Sequence, residues 1–280
     1  MFLVSPRRRG AGLLLTLLAL MVLPGLLRAQ ATSAPLTRPE RTDFMETTRY
    51  DEVMAFVRAV TDQHPDMHLT TMGYTTEGRA LPLVVVGDVA DASPESVRAT
   101  GKTRLYLQGG IHSGEACGKE ALLVLLRELA EGEHVHWSDS LVLLIAPLYN
   151  ADGNERVSLY NRRAQHGPVG GMGTRANAQG FDLNRDQMKL DAPESRSLVR
   201  LYTVYDPHLS VDLHVTNGTH HGYHLTYAPP LSPNTPPEVD ELLRGRWLPE
   251  VTRAVKEETG WDMYYYGGAR RARGSMEGGW

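Results

Sequence analysis

From Tyr50 to Val60 apolar residues recur every three or four positions, at Tyr50, Val53, Met54, Val57 and Val60. That period predicts an amphipathic helix ending before Pro65. Two strand-like runs follow, Leu69 to Thr75 and Ala80 to Val86, joined by Glu77-Gly78-Arg79 in the manner of a hairpin. Three later runs, Arg104 to Ile111, Ser140 to Leu148 and His208 to His214, are more continuously apolar, which predicts strands buried on both faces. Between the first two, Cys117 to Leu129 is rich in strong helix formers and suits a crossover helix, and Glu194 to Tyr205 supplies another before the third. The alternation predicts an α/β fold with a mixed, largely parallel central sheet and helices on both faces.

Two segments lack any period: Gly167 to Gly180, with five glycines in fourteen residues, and Ala228 to Pro237, with five prolines in ten. Both read as long surface loops, where binding and catalytic residues concentrate. The N-terminus reads as a targeting segment: Arg7, Arg8 and Arg9 precede an uncharged apolar run from Ala11 to Leu27, and Ala29-Gln30-Ala31 is an A-x-A cleavage signal. Residues 1–31 are therefore expected to be a signal peptide, followed by a polar linker over 32–42. An uncleaved anchor is the rival reading of the same run; Pro24 and the A-x-A favour cleavage and export to the periplasm or the medium, with no stable membrane anchor.

Removing residues 1–31 changes the electrostatic picture, because four arginines leave with them and no acidic residue does, so that 25 basic residues face 33 acidic ones. The resulting net charge of −8 argues against nucleic acid or anionic membranes as partners. The single cysteine, Cys117, permits no internal disulfide and is expected to be a small buried apolar residue.

Against this background three polar constellations stand out. Gly109-Gly110-Ile111-His112-Ser113-Gly114-Glu115 falls where a buried strand ends and a helix begins, the place where open α/β sheets hold ligands. His112 and Glu115 can there turn an imidazole nitrogen and a carboxylate toward one point, both donor types that zinc accepts at about 2.0–2.2 Å. The spacing alone is common, so position must discriminate. Ser210-Val211-Asp212-Leu213-His214 ends another apolar strand, and His214 could complete a three-ligand site that leaves a fourth position open. Asp212 shares a strand face with His214 and could support its imidazole. His220, His221 and His224 compete with His214 but cap no strand. The third constellation is Phe181-Asp182-Leu183-Asn184-Arg185-Asp186: Asn184 and Arg185 offer donors suited to a carboxylate, and Arg162 and Arg163 add cationic charge.

Taken in order along the chain, Glu77-Gly78-Arg79, His112-Ser113-Gly114-Glu115, Asn150-Ala151-Asp152-Gly153, Asp182-Leu183-Asn184-Arg185, Pro193-Glu194-Ser195 and His214 resemble the zinc metallocarboxypeptidase family typified by carboxypeptidases A and B, in a bacterial branch. The resemblance covers roughly Tyr50 to Tyr227 and implies a catalytic domain over 43–280 acting on the C-termini of peptides or proteins. It implies one zinc ion held by His112, Glu115 and His214, a clamp for the substrate's terminal carboxylate made by Asn184 and Arg185, and Arg162 or Arg163 in the region of the arginine that polarises the scissile carbonyl. The family usually has Pro where this chain has Ala151. Its general-base glutamate lies on an apolar strand several tens of residues after the last zinc histidine. Only 66 residues follow His214, none forms such a strand, and Glu277 sits among turn formers. The expectation is a domain whose last strands and general base lie beyond Trp280. Rival readings are a zinc deacylase or amidase resembling the aspartoacylase branch, and a non-catalytic module that binds zinc and carboxylates.

Overall fold

The computed structural model describes residues 35–62, 64–219 and 221–266. The expected signal peptide, His220 and Glu277 lie outside these residues. The chain divides into two compact units, Met1–Asn217 and Gly218–Trp280.

The first unit is built on a five-stranded sheet of β1 (Met67–Tyr74), β2 (Ala80–Val86), β3 (Thr103–Gly109), β4 (Leu141–Ala146) and β5 (Leu209–Leu213), in the order β1-β2-β4-β3-β5. The pairs β1–β2 and β2–β4 are antiparallel, whereas β3 runs parallel to both β4 and β5. The hairpin closes where Thr75 N–H donates to Arg79 O (2.9 Å), around the expected Glu77-Gly78-Arg79 turn. Successive residues of β2 and β4 are buried without alternation, as strands covered on both faces require.

The covering helices are α1 (Tyr50–Thr61), the short α2 (Pro94–Ala99), α3 (Ala116–Ala130), α4 (Ala151–Glu155) and α5 (Pro193–Tyr205). In α1 the apolar face predicted from the period is buried at Val53, Val57 and Val60, and Glu52 Oε2 reaches back to accept from Arg49 N–H (2.9 Å). Alternation along β3 assigns the helices to opposite faces. Tyr106 meets Tyr202 of α5 edge-on (5.8 Å between centroids), and Gly109, of opposite parity, lies against the first turn of α3.

Three expectations are corrected. The run His208 to His214 is a strand, but β5 is the edge of the sheet and Ser210, Val211 and Asp212 are exposed, so apolar composition did not mean burial on both faces. Cys117 is exposed: α3 buries Ala116, Gly118 and Lys119 in its first turn and turns Cys117 outward. Within the stretch read as a linker, Arg38–Arg41 is a helical turn capped by Thr37, and Glu40 Oε1 pairs with Arg127 Nη2 on α3 (2.6 Å), so residues 38–41 are docked by an ion pair.

In the second unit β6 (Leu225–Tyr227) pairs in parallel with β7 (Met263–Tyr265), connected through helical segments that end in α6 (Leu248–Thr259). Its rings pair within the unit, Tyr223 stacking on Tyr264 (4.9 Å) and Tyr227 tilting against Tyr265 (4.8 Å). Among the described residues, no helix is long and apolar enough to cross a membrane.

Candidate metal centre

The parallel strands β3, β4 and β5 end on one side of the sheet, and the polar residues gather in the loops that follow them. After β3 the chain turns through Gly110, whose φ of +70° is costly for a residue with a Cβ. That turn is tied to the loop after β4, where Tyr149 N–H and Asn150 N–H donate to Gly109 O and Gly110 O (3.0 Å each). His112 follows, and Glu115 occupies the N-cap position of α3 without capping it, because its carboxylate is engaged elsewhere.

Both oxygens of Glu115 are shared between two imidazoles. Oε1 lies 2.9 Å from His112 Nδ1, and Oε2 lies 2.8 Å from His214 Nδ1 and accepts from Val215 N–H (2.9 Å). Each imidazole is backed on its other nitrogen by an aspartate: His112 Nε2 stands 3.0 Å from Asp182 Oδ1, and His214 Nε2 stands 3.0 Å from Asp212 Oδ2. His112 and Glu115 are buried, and the His214 side chain is about one-third exposed.

Burial alone would raise the pKa of Glu115, but the two histidines and the Val215 amide outweigh it and hold the carboxyl well below the usual range. Burial likewise opposes charge on His214, yet its bonds to Asp212 and Glu115 prevail and raise its pKa to about 10. The ionised Glu115 thus favours positive charge beside it. One ligand atom from each of His112, Glu115 and His214 lies within 4.8 Å of the others, a three-residue N/N/O set that could hold zinc with a further position open. The aspartates behind the imidazoles are the partners that orient metal-bound histidines.

Arg162 reaches the His112–Glu115–His214 cluster and Arg163 does not. Arg162 Nη2 donates to Glu115 Oε1 (2.5 Å) while its Nη1 is buried with no partner among the described residues. The exposed Arg163 instead lays its guanidinium over the Tyr160 ring (4.9 Å). Asn184 and Arg185 share the helical turn Leu183–Arg185: Asn184 N–H donates to Asp182 Oδ1 (3.0 Å), Asn184 Nδ2 lies 3.4 Å from His214 Nε2, and Arg185 is exposed. Sequence reasoning overlooked Arg175. Its Nη2 pairs with Asp182 Oδ2 (2.8 Å) and its Nη1 lies 3.4 Å from His112 Nδ1, which makes it a second cation beside the cluster. Its position within the glycine-rich loop, seven residues before Asp182, was the available signal. His221 and His224 fall in the second unit, where they face Tyr266 and Trp261.

Comparison with known proteins agrees with this chemistry. Residues 53–208 match the zinc carboxypeptidase family, Peptidase_M14, a span that includes His112 and Glu115 and stops short of His214. Carboxypeptidase 2 of Trichophyton rubrum is 30% identical over 172 residues, which cover 60% of this chain and 28% of that protein. The chain thus spans under a third of the length of the curated relatives it matches. Among solved structures, carboxypeptidase A from Helicoverpa armigera superposes with a TM-score of 0.58 at 18% identity, covering 89% of this chain and 64% of that one. A metallo-carboxypeptidase from Burkholderia cenocepacia gives 0.55 at 22% identity, covering 77% and 53%. These likenesses are ones of fold, whereas the family match extends over more than half of the 280 residues and carries the His-x-x-Glu pair into the cluster just described. This chain belongs to the zinc carboxypeptidase family.

Proposed function

We propose that this chain carries the metal-binding and carboxylate-binding parts of a metallocarboxypeptidase, with zinc held by His112, Glu115 and His214, and that its substrates are the C-termini of peptides or proteins. The observation that carries the reading is the convergence of two Nδ1 atoms on one carboxylate, each imidazole backed by an aspartate. When bound, zinc polarises the scissile carbonyl and activates water. The chain's own residues do the positioning. Asp182 and Asp212 accept hydrogen bonds from the Nε2–H groups, which would leave the Nδ1 lone pairs for the ion. Arg185, exposed, and Asn184, half-buried, share one helical turn and offer a guanidinium and an amide to a terminal carboxylate. Arg162, with a buried Nη1 free of protein partners among the described residues, and Arg175 offer donors to the carbonyl oxygen next to the bond that breaks.

In the same reading, residues 43–280 belong to the catalytic domain and residues 1–31 are an export signal, which the arginine-flanked apolar run and the A-x-A signal support.

Metal analysis and peptide hydrolysis test the proposal. About one zinc per chain is expected, with His112→Ala abolishing it, since two remaining ligands hold zinc poorly. Release of the C-terminal residue from a blocked dipeptide, stopped by a chelator, is expected of the whole protein. Cleavage of N-acyl amino acids alone would overturn the substrate assignment, and stoichiometric zinc in His112→Ala would overturn the ligand set.

A further inference from the structure

Two buried polar groups, Tyr106 and Gln108, extend the line behind Asp212 across the sheet and have no part in the chemistry described above. The parallel register of β3 and β5 sets Tyr106 opposite Ser210 and Gln108 opposite Asp212. Tyr106 and Gln108 are 1% and 3% exposed. The Tyr106 hydroxyl donates to Gln108 Oε1 (2.8 Å), Gln108 Nε2 donates to Asp212 Oδ1 (3.1 Å), and Asp212 Oδ2 faces His214 Nε2 (3.0 Å).

Each link orients the next. A glutamine amide can present either end, and here the neighbouring phenol decides, because its proton needs an acceptor and Oε1 at 2.8 Å is a far better one than the Met72 thioether at 3.9 Å. Burial pushes the Tyr106 pKa up, so the phenol stays protonated and remains a donor. With Oε1 engaged, the NH₂ end points at Asp212; a reversed amide would set its oxygen against a carboxylate. Asp212 needs such a hold, since it sits on the exposed edge strand with its side chain one-third exposed. Once Gln108 holds Oδ1, Oδ2 is left to accept the hydrogen bond from His214 Nε2–H, and Nδ1 is left to face Glu115.

We propose that Tyr106 and Gln108 are positioning residues for the metal site, acting through Asp212 to fix which nitrogen of His214 faces the cluster. The inference rests on the zinc reading for one of its two readouts and is independent of it for the other.

The test compares wild type, Tyr106→Phe, Gln108→Leu, Asp212→Ala and the double variant Tyr106→Phe/Asp212→Ala in the full chain. The first readout is zinc affinity by chelator competition. Loss of a group that directly backs a metal-bound histidine costs about 10–100-fold, so two links further out Tyr106→Phe is expected to weaken zinc by about 3–10-fold. Because the effect passes through Asp212, Tyr106→Phe should add nothing in the Asp212→Ala background. A purely structural role of the phenol would lower affinity equally in both backgrounds, and that result, or unchanged affinity in Tyr106→Phe, overturns the proposal. The second readout is solvent exchange of the His214 Nε2–H followed by NMR, expected to be about 3–10-fold faster in Tyr106→Phe and Gln108→Leu, the range one hydrogen bond commands. If wild type binds no zinc, the metal reading fails by itself, and the exchange measurement still decides: unchanged protection in both variants overturns the positioning role. Tyr106→Phe removes one oxygen and retains the ring, so it keeps the inference falsifiable where Gln108→Leu fails to fold.

Discussion

Gly118→Ala puts two known effects in opposition at the point where α3 meets the edge strand. Replacing glycine by alanine inside a helix is ordinarily stabilising by about 1 kcal/mol, because the glycine backbone loses more freedom on folding. At this position the new Cβ would lie 2.6 Å from Leu213 Cβ and 2.8 Å from Leu213 O. A backbone carbonyl cannot rotate out of the way, so helix and strand must separate, and overpacking of this kind costs about 1–3 kcal/mol. The steric effect wins by about 1 kcal/mol. For a unit of this size that loss lowers the melting temperature by about 2–4 °C. The displaced residue immediately precedes His214, so zinc binding should weaken as well, which a stability effect elsewhere in the sheet would not cause. Thermal melts with and without zinc, plus chelator competition, measure both. Cys117→Ala is the control: it changes an exposed neighbour in the same helical turn and is expected to leave the melting temperature unchanged or slightly raised. A Gly118→Ala protein melting at or above wild type, with unaltered zinc affinity, would refute the argument that close approach of helix and strand sets the His214 position.

Two other substitutions probe what α3 is anchored to. Lys119 is 1% exposed, and its Nζ donates to Thr47 Oγ1 (2.8 Å), Thr48 O (2.5 Å) and Asn154 Oδ1 (2.7 Å). Lys119→Met keeps the volume but removes the buried donor from Thr47 Oγ1 and Asn154 Oδ1 and one of the two donors to Thr48 O, so a loss of about 3 kcal/mol is expected in urea unfolding, and a change within about 0.5 kcal/mol would show the network to be dispensable. Glu40 is held by its hydrogen bond to Arg127, which outweighs burial and lowers its pKa from 4.5 to about 2. A depressed carboxyl stabilises the fold above its unfolded pKa and loses that contribution as pH falls through the folded value. Wild type should therefore exceed Glu40→Gln by about 1–2 kcal/mol at pH 6, a figure reduced for partial solvent screening. The gap should close between about pH 4.5 and 2; a gap independent of pH would rule out the ion pair as its source.

Periodicity and composition were enough to find the helix Tyr50–Thr61, the hairpin, the crossover helix Ala116–Ala130 and the three parallel strands, because each depends on residues a few positions apart. The same local information singled out His112 with Glu115 and chose His214 over its neighbours, since a histidine closing a strand has a defined place in a parallel sheet. What it could not yield depends on register and burial. Arg162 and Arg163 are adjacent in sequence, and only the path of the loop turns one toward Glu115 and the other onto Tyr160. Asp182 backs His112 across seventy residues, and Gln108 meets Asp212 across more than a hundred, through pairings that the sheet alone creates. Apolar composition predicted burial for His208 to His214, yet strand order made β5 an edge, and helix rotation turned Cys117 outward. The sequence by itself determined the main helices and strands and which side chains are candidates for binding a metal, because those are properties of short segments. Tertiary structure alone decided which side chains meet, because contacts between distant residues follow from strand order and register rather than from any local pattern.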